Sequence, residues 1–292
     1  MSFDLYFCRQ NASLPSVAEL KEYFASLPFC NVQETDDDGV QFWYQNEATG
    51  VYCNFLYSPL DVSELEGCGS SGLSFNLNFN RPSFFAYETM PLVEAFSKRF
   101  DLVVEDPQAE TVGPAEANNL IASWRSSNAR ATSALVTQTD VETHYLPEPT
   151  ATQWWRYMSV RQTIEKTITE DIFIPQAFIL MAPTQHLFTM TVWPNTIAQF
   201  FPTCDYLYVG RNTKRLFGTR EEAGLVAYEE AMKVIAHLLD ELEVRDFRIK
   251  YLPPENTAEA APLVQKLHLK TIDLSQHTRM GPDGFHDVTQ SS

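Results

Sequence analysis

The stretch that decides the fold class is Leu73-Ser74-Phe75-Asn76-Leu77-Asn78-Phe79-Asn80. Apolar side chains occupy every odd position, and serine or asparagine occupies every even position. Because successive side chains of a strand point to opposite faces, this alternation predicts a strand with one covered face and one polar face. Such half-covered strands are typical of antiparallel sheets.

Further strand signals precede this segment along the chain. The acidic turn Asp36-Asp37-Asp38-Gly39 ends in Asp-Gly, a strong hairpin signal, and it joins two of the predicted strands. A capping box of Ser16 and Glu19 predicts the start of a helix. The first part should therefore be α+β, a largely antiparallel sheet with helices on one face. Its other predicted strands are residues 2–8, 31–35, 40–45, 51–57 and 102–104.

A second, smaller α+β part is expected in the C-terminal half. Residues 130–150 are polar and carry prolines, and the charge changes across them. Residues 1–150 hold 7 basic and 21 acidic side chains, whereas residues 151–292 hold 14 and 17. We predict domains at 1–140 and 150–292, the second built on a long helix over 221–243 whose apolar residues recur at helical spacing. The last residues, about 20 in number, are polar with two glycines and are expected to be poorly packed or to lie on the surface.

The composition and the net charge favour a globular protein and disfavour nucleic acid and membranes as partners. The chain of 292 residues is 44% hydrophobic and 20% charged, values typical of globular proteins. Its formal net charge is −17, which disfavours nucleic acid as a partner and favours a protein with a basic surface. The most apolar stretch, residues 172–182, is far shorter than the roughly 20 residues of a membrane helix, so no membrane partner is expected.

The cysteines and the N-terminus predict a cytoplasmic location. The five cysteines are an odd number, are widely spaced and include no C-x-x-C, so we expect free thiols in a reducing compartment. Asp4 interrupts the first apolar run, and no basic segment precedes it, which is unlike a signal peptide.

No cofactor or metal is predicted. Residues 67–72 spell G-x-G-x-x-G, but an acidic loop precedes them and a strand follows, whereas a dinucleotide fingerprint requires a strand and then a helix. The six histidines lack metal-ligand spacing. Cys204 beside Asp205 is the best candidate for a nucleophile, and a buried structural thiol is the alternative explanation.

Two charged clusters are candidate binding sites. The first has four carboxylates on the predicted hairpin, Glu34, Asp36, Asp37 and Asp38, and could face a protein partner or form a plain solvated turn. The second has four cations, Arg211, Lys214, Arg215 and Arg220. These four could bind a small anion, or they could pair internally with neighbouring acidic residues.

Three segments resemble a family of uncharacterised bacterial cytoplasmic proteins, a type associated with toxin immunity. They are residues 44–52 (YQNEATGVY), residues 79–85 (FNRPSFF), and residues 174–209 with the motifs VWP (192–194) and PTCDY (202–206). The resemblance spans most of both halves, but no functional residue can be carried over from it.

These observations together predict a protein-binding module without catalysis. The most concrete form is a bacterial immunity protein that neutralises a toxin by direct contact, with the acidic first domain covering a basic surface. Two alternatives stay open. One is a hydrolase-type enzyme whose site is assembled from distant loops, and the other is a structural or regulatory component of a bacterial assembly.

Overall fold

A computed structural model describes residues 1–9, 14–36, 38–59, 71–138, 142–168, 171–215 and 218–287. Contacts divide the chain into two compact units. Unit 1 comprises Met1–Thr143 and Pro282–Ser292, and unit 2 comprises His144–Gly281. Both units combine helices with strands, so the predicted α+β class is confirmed.

Unit 1 is built on a seven-stranded sheet in the order β2-β3-β4-β5-β1-β6-β7, in which every neighbouring pair is antiparallel. The strands are β1 (Ser2–Cys8), β2 (Cys30–Glu34), β3 (Val40–Asn46), β4 (Val51–Tyr57), β5 (Leu73–Asn78), β6 (Val103–Asp106) and β7 (Thr111–Gly113). The helices are α1 (Val17–Ser26), α2 (Phe84–Phe100) and α3 (Ala117–Gln138).

Aromatic side chains hold α1 and α2 on the same face of this sheet. Phe24 of α1 stacks on Phe42 of β3 with ring centroids 4.4 Å apart. Phe96 of α2 meets Phe7 of β1 at 5.0 Å and Phe55 of β4 at 5.1 Å. Such aromatic contacts add to the hydrophobic gain of burial. The expected sheet with helices on one face is therefore present.

Unit 2 contains two smaller sheets, ordered β10-β14-β13 and β12-β11-β9-β8-β15, with β9 and β11 parallel. The strands are β8 (Phe178–Met181), β9 (Leu187–Pro194), β10 (Gln199–Phe201), β11 (Tyr206–Arg215), β12 (Gly218–Ala227), β13 (Asp240–Val244), β14 (Phe247–Leu252) and β15 (Thr278–Arg279). The helices are α4 (Glu148–Thr167), α5 (Tyr228–Ile235) and α6 (Thr257–Val264), with short 3-10 helices at Ala236–Leu238, Pro254–Asn256 and Leu274–Gln276.

The predicted helix over residues 221–243 is wrong. Its first residues belong to β12, its middle forms the short helix α5, and its last residues form β13. The strand β12 forms because it pairs with β11 over ten register positions. Gly224 also allows a close approach, since a Cβ there would lie 2.7 Å from the carbonyl oxygen of Lys270. This tertiary pairing overrides the helical spacing.

Residues 273–284 are exposed or partly exposed, as expected, but the three residues that follow them are packed. Phe285, His286 and Asp287 are buried. The Asp287 carboxylate accepts hydrogen bonds from the backbone N–H (2.8 Å) and the hydroxyl (3.0 Å) of Ser83, at the start of α2. A carboxylate at a helix N-terminus is stabilised by the helix dipole. The segment from Pro282 onward therefore returns to unit 1, whereas the sequence places it in the second domain.

Candidate protein-binding surface

The acidic turn lies between the strands β2 and β3 of unit 1. The backbone N–H of Thr35 donates to the carbonyl of Gly39 at 2.9 Å, which closes the turn. Asp38 adopts a left-handed backbone with φ of 58°, a conformation that Asp and Asn tolerate better than most residues. At Gly39, a Cβ would lie 2.6 Å from the Thr35 hydroxyl oxygen, which explains the glycine there.

The carboxylates of this turn differ in their surroundings. Glu34 is exposed and pairs with Lys21 of α1 at 2.5 Å. The hydrogen bond and the charge of Lys21 hold the pKa of Glu34 below its usual value. Asp36 and Asp38 are also exposed, and they have no ion pair within the described residues. Asp37 lies outside the described residues. Among the described residues of the turn, Asp36 and Asp38 thus present unpaired charge.

The strand β2 beside the turn forms one edge of the seven-stranded sheet. The residues from Asn31 to Glu34 are exposed, and the side chain of Val32 is 39% accessible. The strand at the other edge, β7, is shorter and ends at Gly113, directly before Pro114. An exposed edge and an acidic turn therefore adjoin each other in unit 1.

Of the four predicted anion-binding cations, the structure describes the side chains of Arg211 and Arg220. Arg211 lies on β11, and Arg220 lies on β12, where it pairs with Thr213 and is exposed. The side chains of Lys214 and Arg215 lie outside the described residues. For Arg215, Arg220 and Lys214, anion binding stays a prediction.

Arg211 pairs with a neighbouring acidic residue, which is the alternative to anion binding, and it also contacts the end of a helix. Its side chain is only 11% exposed. Its Nη1 donates to the carbonyl oxygens of Val264 (2.8 Å), Gln265 (3.1 Å) and Leu267 (2.9 Å), and its Nη2 lies 3.3 Å from Glu222. A cation at a helix C-terminus satisfies orphan carbonyls and complements the helix dipole. Arg211 therefore fixes the end of α6, and the predicted anion-binding role does not fit it.

A polar cluster that sequence reasoning missed surrounds Glu88 of α2. One carboxylate oxygen of Glu88 accepts hydrogen bonds from Tyr44 (2.7 Å), Asn46 (2.8 Å) and Thr49 (3.0 Å). The three donors are buried. Burial, with a further contribution from the Glu88 carboxylate, raises the pKa of Tyr44. The cluster ties the β3–β4 turn to α2 and keeps Tyr44 a hydrogen-bond donor at neutral pH.

Two of the segments that carry the family resemblance meet near this cluster. Arg81 donates through Nη2 to the hydroxyl of Tyr52 at 2.7 Å, and the Tyr52 ring packs edge-on against Phe85 at 5.6 Å. Tyr44 and Tyr52 bound the first segment, and Arg81 and Phe85 belong to the second. The sequence drew attention to both segments, but it did not indicate that they are in contact.

The cysteines differ from the expectation of five free thiols. Cys8 is disulfide-bonded, which contradicts that expectation. Cys30, Cys53 and Cys204 are free, and Cys68 lies outside the described residues. Burial raises the pKa of the Cys30 thiol to about 11 and also raises the pKa of Cys204. Thiols with raised pKa are poor nucleophiles at neutral pH.

The predicted nucleophile candidate also has partners that suit a structural role. The Cys204 thiol donates to the carbonyl of Tyr206 at 3.2 Å. The neighbouring Asp205 accepts hydrogen bonds from the backbone N–H (2.7 Å) and the hydroxyl (2.8 Å) of Thr189. Asp205 therefore fixes the approach to β11 rather than orienting a catalytic base.

Unit 2 also contains an open cleft of about 840 Å³. Arg161, Glu165 and Asp171 supply its charges, and Phe173 and Ile197 supply exposed apolar surface. Arg161 forms an ion pair with Glu165 at 2.7 Å, and its Nη2 donates to the carbonyl of Ile174 at 3.2 Å. The described residues that line the cleft include no His, Cys or Ser.

The described parts of the chain show neither a metal cluster nor a membrane-spanning helix. These parts contain no group of three or more His, Cys, Asp and Glu side chains that could hold a metal ion. Within the same residues, no helix combines the length and apolar character that crossing a bilayer requires. Comparison of the chain with protein-family models, curated proteins and solved structures gives no match.

Proposed function

We propose that the chain is a protein-binding module without catalysis, and that its acidic turn contacts a partner with a basic surface. The observation that carries the proposal is the pair of exposed carboxylates, Asp36 and Asp38, which have no ion pair within the described residues. Exposed, unpaired charge at a turn acts over a long range and is screened by salt. It therefore suits the recognition of an oppositely charged protein.

The charge of unit 1 supports the same proposal. Its residues include 7 basic and 22 acidic side chains, a balance of −15 out of the −17 of the chain. A protein domain with a strong single-sign field attracts partners of opposite charge and accelerates their encounter. The specific form that we propose is a bacterial immunity protein that blocks a toxin by covering its basic surface.

The test uses the protein product of the gene immediately upstream, the expected toxin. Association of that product with the chain is measured by surface plasmon resonance at several salt concentrations. Replacing Asp36 and Asp38 with Asn should slow association about threefold to tenfold at low salt and flatten its salt dependence. Asn keeps the left-handed backbone at position 38 accessible, so the fold should persist.

A matched control carries the same change of charge at another place in unit 1. Asp101 and Glu110 are exposed and lie on the β6–β7 side of the sheet, so Asp101→Asn with Glu110→Gln should leave the association rate nearly unchanged. Equal slowing by both double variants would mean that net charge alone acts. An unchanged rate for the Asp36 and Asp38 variant at low salt would overturn the proposed role of the turn.

A further inference from the structure

The hydrogen-bond register at the sheet edge identifies which backbone groups are paired. The N–H of Gln45 donates to the carbonyl of Phe29 at 2.8 Å, and the N–H of Thr35 donates to the carbonyl of Gly39 at 2.9 Å. Antiparallel strands alternate between hydrogen-bonded and non-hydrogen-bonded residue pairs. In the register of β2 with β3, the residues at odd positions of β2 therefore use their N–H and C=O groups toward β3.

The residues at even positions of β2 point their backbone groups the other way. These residues are Cys30, Val32 and Glu34, and their N–H and C=O groups face the open side of the edge. No other strand of the described residues pairs with β2 on that side. A row of unpaired backbone donors and acceptors is a template for another strand.

The edge also lacks the features that proteins use to prevent strand addition. Its sequence Cys-Asn-Val-Gln-Glu contains no Pro and no Lys, and the pairing with β3 is continuous over five positions without a bulge. Edge strands are commonly protected by prolines, lysines, bulges or short length. The strand β7 at the opposite edge has only three residues. The strand β2 is thus the more accessible edge of the sheet.

We infer that β2 binds an extended, basic segment of a protein partner, which adds as a further strand to the sheet of unit 1. This inference rests on the proposed function and specifies how its surface engages the partner. Backbone hydrogen bonds to Cys30, Val32 and Glu34 supply the contact, and Asp36 and Asp38 attract basic side chains at the end of the strand. Strand addition of this kind is a general mode of peptide recognition.

The charge decides between a partner and a second copy of the chain. Edge-to-edge pairing of two copies would bring together two units that each carry a balance of −15. Like charge keeps proteins apart, whereas a basic segment gains from the same field. The occupant is therefore a basic segment of another protein.

The test uses the full chain, labelled with ¹⁵N, and a short synthetic peptide of alternating Lys and Val. Its addition should shift the amide signals of Cys30, Val32 and Glu34 in NMR spectra and slow their hydrogen exchange. Val32→Pro removes an N–H that β3 does not use, a substitution that edge strands tolerate. This variant should weaken binding at least tenfold, because an N–H donor is lost and the ring obstructs the added strand. Val32→Thr, which keeps the N–H, should bind like the wild type.

A second probe leaves the protein unchanged. A Lys-Val peptide that is N-methylated on the edge facing β2 keeps its charge and side chains but loses its backbone donors, and it should not bind. Failure of the unmethylated peptide to bind, or equal binding of a Glu-Val peptide, would overturn the inference. The inference would also be overturned if the free chain formed a dimer and the Val32→Pro substitution dissociated it.

The two proposals fail in different ways. If Asp36→Asn with Asp38→Asn slows association of the partner protein but Val32→Pro and N-methylation have no effect on peptide binding, strand addition is wrong and the acidic-turn function stands. If the double Asn variant also leaves the partner's association unchanged, both proposals fail.

Discussion

Replacing Arg211 with Ala should strongly destabilise unit 2. The Arg211 guanidinium is nearly buried, and its Nη1 serves three carbonyl oxygens at the end of α6. This nitrogen has two hydrogens, so the three contacts amount to about two full hydrogen bonds. At about 1.5 kcal/mol for each charge-assisted bond, their loss costs about 3 kcal/mol. The pair with Glu222 adds little, since that carboxylate is partly exposed.

Equilibrium urea unfolding followed by far-UV circular dichroism and tryptophan fluorescence measures this cost. With a denaturant slope of about 2 kcal/mol per molar urea, a loss of about 3 kcal/mol lowers the midpoint by about 1.5 M. The matched control is Arg220→Ala on the adjacent strand, where the side chain is exposed and the expected change is within about 0.5 kcal/mol. If the two variants unfold at the same urea concentration, Arg211 does not fix the end of α6, and the reasoning is wrong.

Two other predictions concern Tyr44 and the cysteines. Tyr44→Phe should cost about 2 kcal/mol at pH 7, since a hydrogen bond to a carboxylate is lost. The pKa of Tyr44 is raised in the folded protein, so the contribution of Tyr44 to stability is complete below its usual pKa of about 10 and declines as the pH rises above that value. Tyr44→Phe should therefore lose less stability at alkaline pH than the wild type in urea titrations. An identical pH profile for the two proteins would contradict the buried hydrogen bond. Thiol titration of the denatured protein without reductant should count three thiols, those of Cys30, Cys53 and Cys204, and titration after reduction should count five. A count of five without reductant would exclude the disulfide at Cys8.

The elements that sequence reasoning predicted correctly are those fixed by local interactions. The capping box at Ser16 and Glu19 forms as expected, with the Ser16 N–H donating to the Glu19 carboxylate at 2.9 Å. The alternation in residues 73–80 gives the strand β5, whose apolar side chains are buried. The Asp-Gly signal also marks the hairpin that presents Asp36 and Asp38. The capping box and the hairpin are decided by residues a few positions apart, and the strand β5 is recognised from its own alternation although its partners, β1 and β4, are distant in sequence.

The features that sequence reasoning missed depend on distant partners. Glu88 lies about 40 residues after the Tyr44, Asn46 and Thr49 donors that converge on it. The helical spacing in residues 221–243 did not reveal that the first of them pair with β11 and the last of them with β14. The periodicity of apolar residues shows which side chains share one face, but it does not show which other strand the backbone will pair with.

The most direct test of the proposed protein-binding function is hydrogen exchange, read by mass spectrometry, of the chain with and without its purified partner protein. The account predicts that the partner slows exchange in unit 1 at β2 and the adjoining acidic turn, residues 30–39, with little change at β6 and β7. Protection confined to unit 2, for example around Arg161 and Phe173 of its cleft, would contradict the central claim that the acidic turn of unit 1 is the binding surface.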